Sequence, residues 1–156
     1  MTDHIMKILL PVDGSALSLH ETRFALRLVE NGLKARFVLA NVQESATFYE
    51  MVTGQNPALI ANAAQDAGTD LIAPSARLLE QAGVEYDTAV LTGDPVHAML
   101  EVIEDAGCDM VVMGSRALGL IRSAVEGSTS RRLVHDSPVP VLLVKPPADE
   151  AAPSAD

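Results

Sequence analysis

One cysteine, no tryptophan and only 3% aromatic residues occur in this 156-residue chain. A single thiol, Cys108, excludes an internal disulfide and fits a reducing compartment. Set between Gly107 and Asp109, it reads as a small buried residue. With so few rings, the core must be built from Val, Leu, Ile, Ala and Met, as where helices cover parallel strands. No apolar run approaches the ~18 residues of a membrane span. The opening "MTDHIMKILLPVD" lacks the basic region and long apolar stretch of a secretory signal. A soluble, cytoplasmic protein is therefore expected. Positive charge is also scarce: 11 Lys and Arg stand against 21 Asp and Glu, a net charge of -10. Such a surface repels nucleic acid. Neither nucleic acid nor membrane is an expected partner, and any phosphate must be held locally, by backbone N–H groups or a few basic side chains.

Hydrophobic residues make up 48% of the chain, which argues against disorder. The length fits one domain, read as residues 1–146. Residues 147–156, within the Pro-, Ala- and acid-rich end "PPADEAAPSAD", are expected to be a disordered acidic tail. Five apolar runs read as strands: 7–12, 35–42, 84–91, 109–114 and 139–144. Helical spacing fills the intervals. Leu17, Phe24, Ala25, Leu28 and Val29 share a face, with Ser15 as N-cap and Gly32 beyond the end. Ile60, Ala64, Ala67, Leu71, Leu78 and Ala82 form the expected face of a second helix, stopped by Gly83. A third carries Val96, Met99, Leu100 and Ile103, opened by Asp94 and Pro95 and closed by Gly107. A short last helix spans roughly 128–135. Residues 43–57 show no clear pattern. The alternation of strand and helix predicts an α/β fold with a parallel sheet covered on both sides.

In open α/β sheets ligands bind beyond the carboxyl ends of the strands, where the winding reverses. Two carboxyl-end segments carry unusual chemistry. In "PVDGS", Asp13 leaves the first strand, Gly14 permits a turn and Ser15 starts a helix. Two readings stand: turn-and-cap chemistry, or Asp13 accepting a hydrogen bond from a ligand hydroxyl or amine. In "VMGSRALGLIRSAVEGSTS", Gly114 ends the fourth strand and Gly127-Ser128-Thr129-Ser130 opens a helix. The free N–H groups of a helix start attract anions, and a glycine lets phosphate approach them. Arg116 and Arg122 could add charge; the plainer reading is a capped helix after a solvated loop. "GSRALGLI" begins like a phosphate-binding loop, but Leu120 and Ile121 stand where Lys and Ser/Thr are needed. His4, His20, His97 and His135 lack ligand-like spacing, so no metal site is expected.

Both segments resemble the universal stress protein family. "ILLPVDGS" is similar to that family's first strand and turn, and "GDPVHAMLEVIEDAGCDMVVMGSRALGLIRSAVEGSTSRRLVHDSPVPVLLV" to its carboxyl-terminal half. The resemblance implies a three-layer α/β sandwich around a five-stranded parallel sheet of order 3-2-1-4-5, the adenine nucleotide alpha hydrolase-like architecture. That order would bring Asp13 and Gly114 to adjacent strand ends. Members that bind ATP carry G-x2-G-x9-G-[ST]. Here Gly114 and Gly127-Ser128 match, while Ala117 replaces the second glycine. By position, the resemblance assigns Pro11, Val12 and Asp13 to adenine and ribose, the backbone of Val42 to the base and Met113 to nucleoside packing. Gly114, Gly127, Ser128 and Thr129 would face phosphate, with Arg116 and Ala117 in the connecting loop. The implied ligand is ATP or AMP, with Mg²⁺ as a companion ion.

The last strand, "DSPVPVLLVK", lacks two N–H donors, at Pro138 and Pro140, which leaves one sheet edge donor-poor. The resemblance implies a homodimer through Val141–Val144; the alternative is an edge blunted by proline. The expected function is an adenine-nucleotide-binding stress-response regulator or sensor. Apart from Asp13, no evident general base or Mg²⁺ ligand is present, so at most a slow ATPase or autophosphorylation on Ser128, Thr129 or Ser130 is expected. Ala117 favours a second reading, a non-nucleotide-binding dimeric signalling or chaperone-like protein of the same fold. An adenylating enzyme is a third, but "PVDGSALS" carries neither a Ser-Gly-Gly-type loop nor a His-x-x-His signature.

Overall fold

The structure is a computed structural model that describes residues 4–43, 57–115 and 128–147. The patternless connection after the second strand, nearly all of the loop after the fourth and the acidic tail therefore lie outside the described residues. Among the described residues the order is β1 (Met6–Pro11), α1 (Ala16–Glu30), β2 (Ala35–Gln43), α2 (Pro57–Gln81), β3 (Tyr86–Thr92), α3 (Pro95–Ala106), β4 (Met110–Gly114), α4 (Ser128–Asp136) and β5 (Val141–Val144). The five strands form one sheet, ordered β3-β2-β1-β4-β5, and every pairing is parallel. This is the α/β sandwich the sequence implies. No described helix is long and apolar enough to cross a membrane.

Both sheet faces are buried, so the strands carry continuous apolar runs rather than alternation. Ile8, Leu10, Val12, Phe37, Leu39 and Val112 pack with Ala25 of α1 and Ile72, Ala76 and Leu79 of α2. On the other face, Leu9, Val38, Ala40, Val42, Val111 and Met113 pack with Val96, Met99 and Ile103 of α3 and Leu133 of α4. Cys108 lies buried in that second cluster, as its setting predicted.

Local signals place most helix ends. The Ser15 hydroxyl accepts the Ser18 N–H at 3.2 Å, and Asp94 accepts the His97 N–H at 2.9 Å ahead of Pro95. Gly107 closes α3 at φ 67°, left-handed backbone that suits glycine.

The buried face of α2 differs from the expected one. Ala64, Gly68, Ile72, Ser75, Ala76 and Leu79 point inward, while Ala67, Leu71 and Ala82 are exposed. The helix approaches the sheet closely: a Cβ built on Gly68 would lie 2.4 Å from Cγ1 of Val90. A contact that tight selects small residues, which a search for large apolar side chains passes over.

The register with β4 decides which edge the prolines before β5 leave donor-poor. The Val111 N–H donates to the Pro140 carbonyl at 2.9 Å, with Val111 paired to Val141. Residues 140, 142 and 144 therefore turn their backbone groups toward β4. The donor-poor edge is the inner one, and the outward edge carries the N–H groups of Val141 and Leu143. The strand starts at Val141 rather than 139, and the Val139 N–H, on the outward side, donates to the Ser137 hydroxyl at 3.1 Å.

Candidate functional site

The β1–β2 ladder runs to Pro11↔Ala40, but the β1–β4 ladder ends at Leu9↔Val111. Both strands continue beyond that point, so their carboxyl ends part. This is the reversal point of the sheet, since β2 follows on one side of β1 and β4 lies on the other. Open α/β sheets form their ligand crevice there.

The β1–α1 turn lines one side. Val12 is anchored twice, its N–H on the Ala40 carbonyl at 2.8 Å and its carbonyl on Asn41 Nδ2 at 2.9 Å. Asp13 Oδ1 accepts the Ser15 N–H at 2.9 Å and the Ser18 hydroxyl at 2.7 Å. The same hydroxyl accepts the Asp13 N–H at 2.9 Å. One oxygen of Asp13 is therefore committed to the turn, and Oδ2 has no hydrogen-bond partner among the described residues. These bonds show the turn-and-cap reading of Asp13, carried by Oδ1. Gly14 has φ 80°, and a Cβ there would lie 2.8 Å from Leu71 Cδ2 and 3.3 Å from the Leu71 carbonyl oxygen. Only glycine satisfies both the backbone and the space.

The end of β4 forms the other side. The Gly114 N–H donates to Glu21 Oε1 at 2.5 Å. From the opposite layer, the Ser130 hydroxyl lies 3.3 Å from the Gly114 carbonyl and 3.1 Å from the Ser115 carbonyl. Ser115 in turn donates its N–H to Val144 at the end of β5 at 3.0 Å. One residue is thus gripped by α1 below and α4 above, and its successor is tied to the edge strand.

Glu21 was not among the sequence candidates. It is 4% exposed, and its Oε2 has no hydrogen-bond partner among the described residues. Burial pushes its carboxyl well above the ordinary carboxylate range; the Gly114 N–H opposes the shift and the negative field of Asp13 adds to it. One side chain thus touches Gly114 and feels the field of Asp13. The signal was present in the sequence. Glu21 follows Leu17 by four residues and precedes Ala25 by four, so it interrupts the apolar stripe of α1.

The other candidates divide. Pro11 and Val12 are buried beside the turn, and Val42 and Met113 lie in the core cluster under α3 and α4. Met113 is 0% exposed, so its side chain is core rather than an open platform. Thr129 and Ser130 are buried at the start of α4, and the Ser130 hydroxyl is engaged with β4. Ser128 begins α4. Arg116, Ala117 and Gly127 lie outside the described residues. The histidines are dispersed: His97 pairs with Glu101 at 3.1 Å, His135 with Asp136 at 2.9 Å and His4 with Asp109 at 3.4 Å.

The chain is similar to universal stress protein MJ0531 of Methanocaldococcus jannaschii, with 26% identity over 144 residues, 92% of this chain and 84% of that one. Among solved structures, MJ0577 of the same organism matches with a TM-score of 0.74 at 21% identity, over 91% of this chain and 96% of that one. A universal stress protein family protein from Arabidopsis thaliana, solved with AMP bound, matches with a TM-score of 0.69 at 22% identity, over 96% of this chain and 97% of that one. At these identities the structural likenesses establish the fold. The universal stress protein family model matches residues 4–145, which takes in all five strands, both strand-end turns and the parting between them. This chain belongs to the universal stress protein family.

Proposed function

We propose that this protein binds an adenine nucleotide in the crevice between the ends of β1 and β4 and acts as a stress-response regulator or sensor. The observation that carries the reading is the parting of the two strands after Leu9↔Val111, with the Asp13 turn on one side and Gly114 on the other. The AMP-bound Arabidopsis relative supports the same ligand class. In this reading Pro11, Val12, Asp13 and the backbone of Val42 hold the nucleoside, and the free Oδ2 of Asp13 accepts a ribose hydroxyl. Gly114, Gly127, Ser128 and Thr129 meet phosphate through their backbone N–H groups, beside Arg116 and Ala117. ATP or AMP is the ligand, with Mg²⁺ accompanying the polyphosphate.

Calorimetric titration of ATP, ADP and AMP with Mg²⁺ tests this. The natural protein binds at least one of them, and Asp13→Ala weakens all three alike, by about tenfold or more for a lost charged hydrogen bond. No heat with any of the three ends the nucleotide reading. One observation favours the alternative, a dimeric interaction protein without nucleotide: Glu21 already occupies the Gly114 N–H. The same titration separates the two.

The protein also forms a homodimer through β5 in this proposal. The outward N–H groups of Val141 and Leu143 are available for pairing, and Leu143 is an exposed apolar side chain on that strand. The Ser115–Val144 bond connects the crevice to this edge. Leu143→Pro removes an outward donor without touching the β4 ladder. Sedimentation velocity is expected to show a dimer that becomes a monomer in that variant; a natural protein that sediments as a monomer removes the dimer from the proposal.

A further inference from the structure

Glu21 places an acid where ionisation is costly. A carboxylate offers about four lone-pair sites, and here one oxygen receives a single N–H while the other receives none among the described residues. The charged groups around it are few. β4 brings no titratable side chain in Met110–Gly114. From α2, the neighbour of α1 is Ser75, bonded to Thr22 at 2.8 Å, while Asp66, Asp70, Arg77 and Glu80 are exposed. On the α1 side, Arg23 is exposed and the His20 ring lies on the Lys145 carbonyl at 3.0 Å. Among the described residues, the charge that acts on Glu21 is the carboxylate of Asp13.

The peptide that covers Glu21 is also, in the nucleotide reading on which this inference rests, the floor under the phosphates. We propose that Glu21 is a specificity-determining residue of the crevice: with its proton on, the turn at Gly114 accepts a polyphosphate, and with its proton off, it selects for a nucleoside monophosphate. Two effects act in the same direction. A buried negative charge is poorly screened and repels a triphosphate more than a monophosphate. An ionised carboxylate also holds the Gly114 N–H more strongly than a neutral acid does, which withholds that donor from phosphate.

Glu21→Gln keeps the shape and an oxygen for the Gly114 N–H but carries no titratable proton. The decisive experiment measures AMP and ATP affinities of both proteins between about pH 5 and about pH 9, across and beyond the ordinary carboxylate range. The ATP-to-AMP affinity ratio of the natural protein, divided by that of Glu21→Gln, is expected to fall about fivefold or more as pH rises, the lower end of coupling between neighbouring sites. Titration of the nucleotides themselves cancels in that quotient. A second measurement needs no ligand. The folded-state pKa of Glu21 lies above its unfolded value of about 4.3. Stability from this group is therefore complete below the unfolded value and is lost as pH rises through the folded one. The urea midpoint of Glu21→Gln should gain on that of the natural protein as pH rises. A midpoint difference independent of pH overturns the inference. So does nucleotide binding with the same pH course in both proteins, which leaves the nucleotide reading standing. Absence of binding in both overturns that reading and the discrimination with it. Should Glu21→Gln not fold, Glu21→Met, neutral and similar in length, takes its place in both measurements.

Discussion

Gly14→Ala is expected to destabilise the protein by about 2–5 kcal/mol in urea denaturation. Two causes add. The residue holds φ 80°, and left-handed backbone costs a residue with a Cβ about 1–2 kcal/mol. The new methyl would also sit 2.8 Å from Leu71 Cδ2 and 3.3 Å from the Leu71 carbonyl oxygen. The side-chain atom can rotate away, but the carbonyl belongs to the backbone of α2, so overpacking of about 1–3 kcal/mol follows. Leu71→Ala in the same chain relieves the first clash and leaves the backbone strain, so partial recovery is expected. The turn also orients Asp13, whose Oδ1 is bonded to Ser15 and Ser18. Nucleotide affinity is therefore expected to fall together with stability. A loss below about 1 kcal/mol would mean that α2 yields easily over this turn.

Leu133→Ala is expected to cost about 2–5 kcal/mol, the range for a buried leucine that leaves a cavity. Leu133 is 0% exposed and is the α4 member of the core cluster that contains Met113 and Met99. α4 has only nine residues, too few to be stable without tertiary support. Leu133 supplies the apolar anchor, and Ser130, one turn earlier, bonds the end of β4. Loss of the anchor should appear first as faster hydrogen exchange across α4 and then in the global midpoint. Val134→Ala is the control: that side chain is 47% exposed and should change stability by less than about 0.5 kcal/mol. Equal effects at the two positions would show that α4 is held by something other than its buried leucine.

Much of this architecture could be read directly from the chain, for physical reasons. Strands buried on both faces have to be apolar throughout, so five runs stood out and became five strands within a residue or two at most ends. Ser15, Asp94 and Pro95 are specific about where a helix begins because their chemistry meets the unpaired N–H groups there. The strand order came from the family resemblance, since pattern alone does not say which strands pair. Three features escaped. The inner face of α2 is set by how closely Gly68 approaches Val90, a distance that periodicity does not encode. The direction of the Pro140 backbone depends on register with β4, which a single strand does not reveal. Glu21 was passed over because a charge on a helix is usually solvated; its position in the middle of the apolar stripe was the clue. The candidate turns at Asp13 and Gly114 were legible as chemistry, but the buried acid between them was not.

The grip on Gly114 has a mechanical consequence. The N–H of Gly114 is held by an acceptor on one face of the sheet, and its carbonyl, which belongs to the next peptide group, by a donor on the other. The two peptide groups meet at the Gly114 Cα, so the two outer layers are tethered to the same residue of the sheet. Ser115 extends this connection to the rim of the sheet through its bond to Val144. The two helix layers thus share one anchor point at the end of β4, with the peptide groups that flank the Gly114 Cα as its two arms.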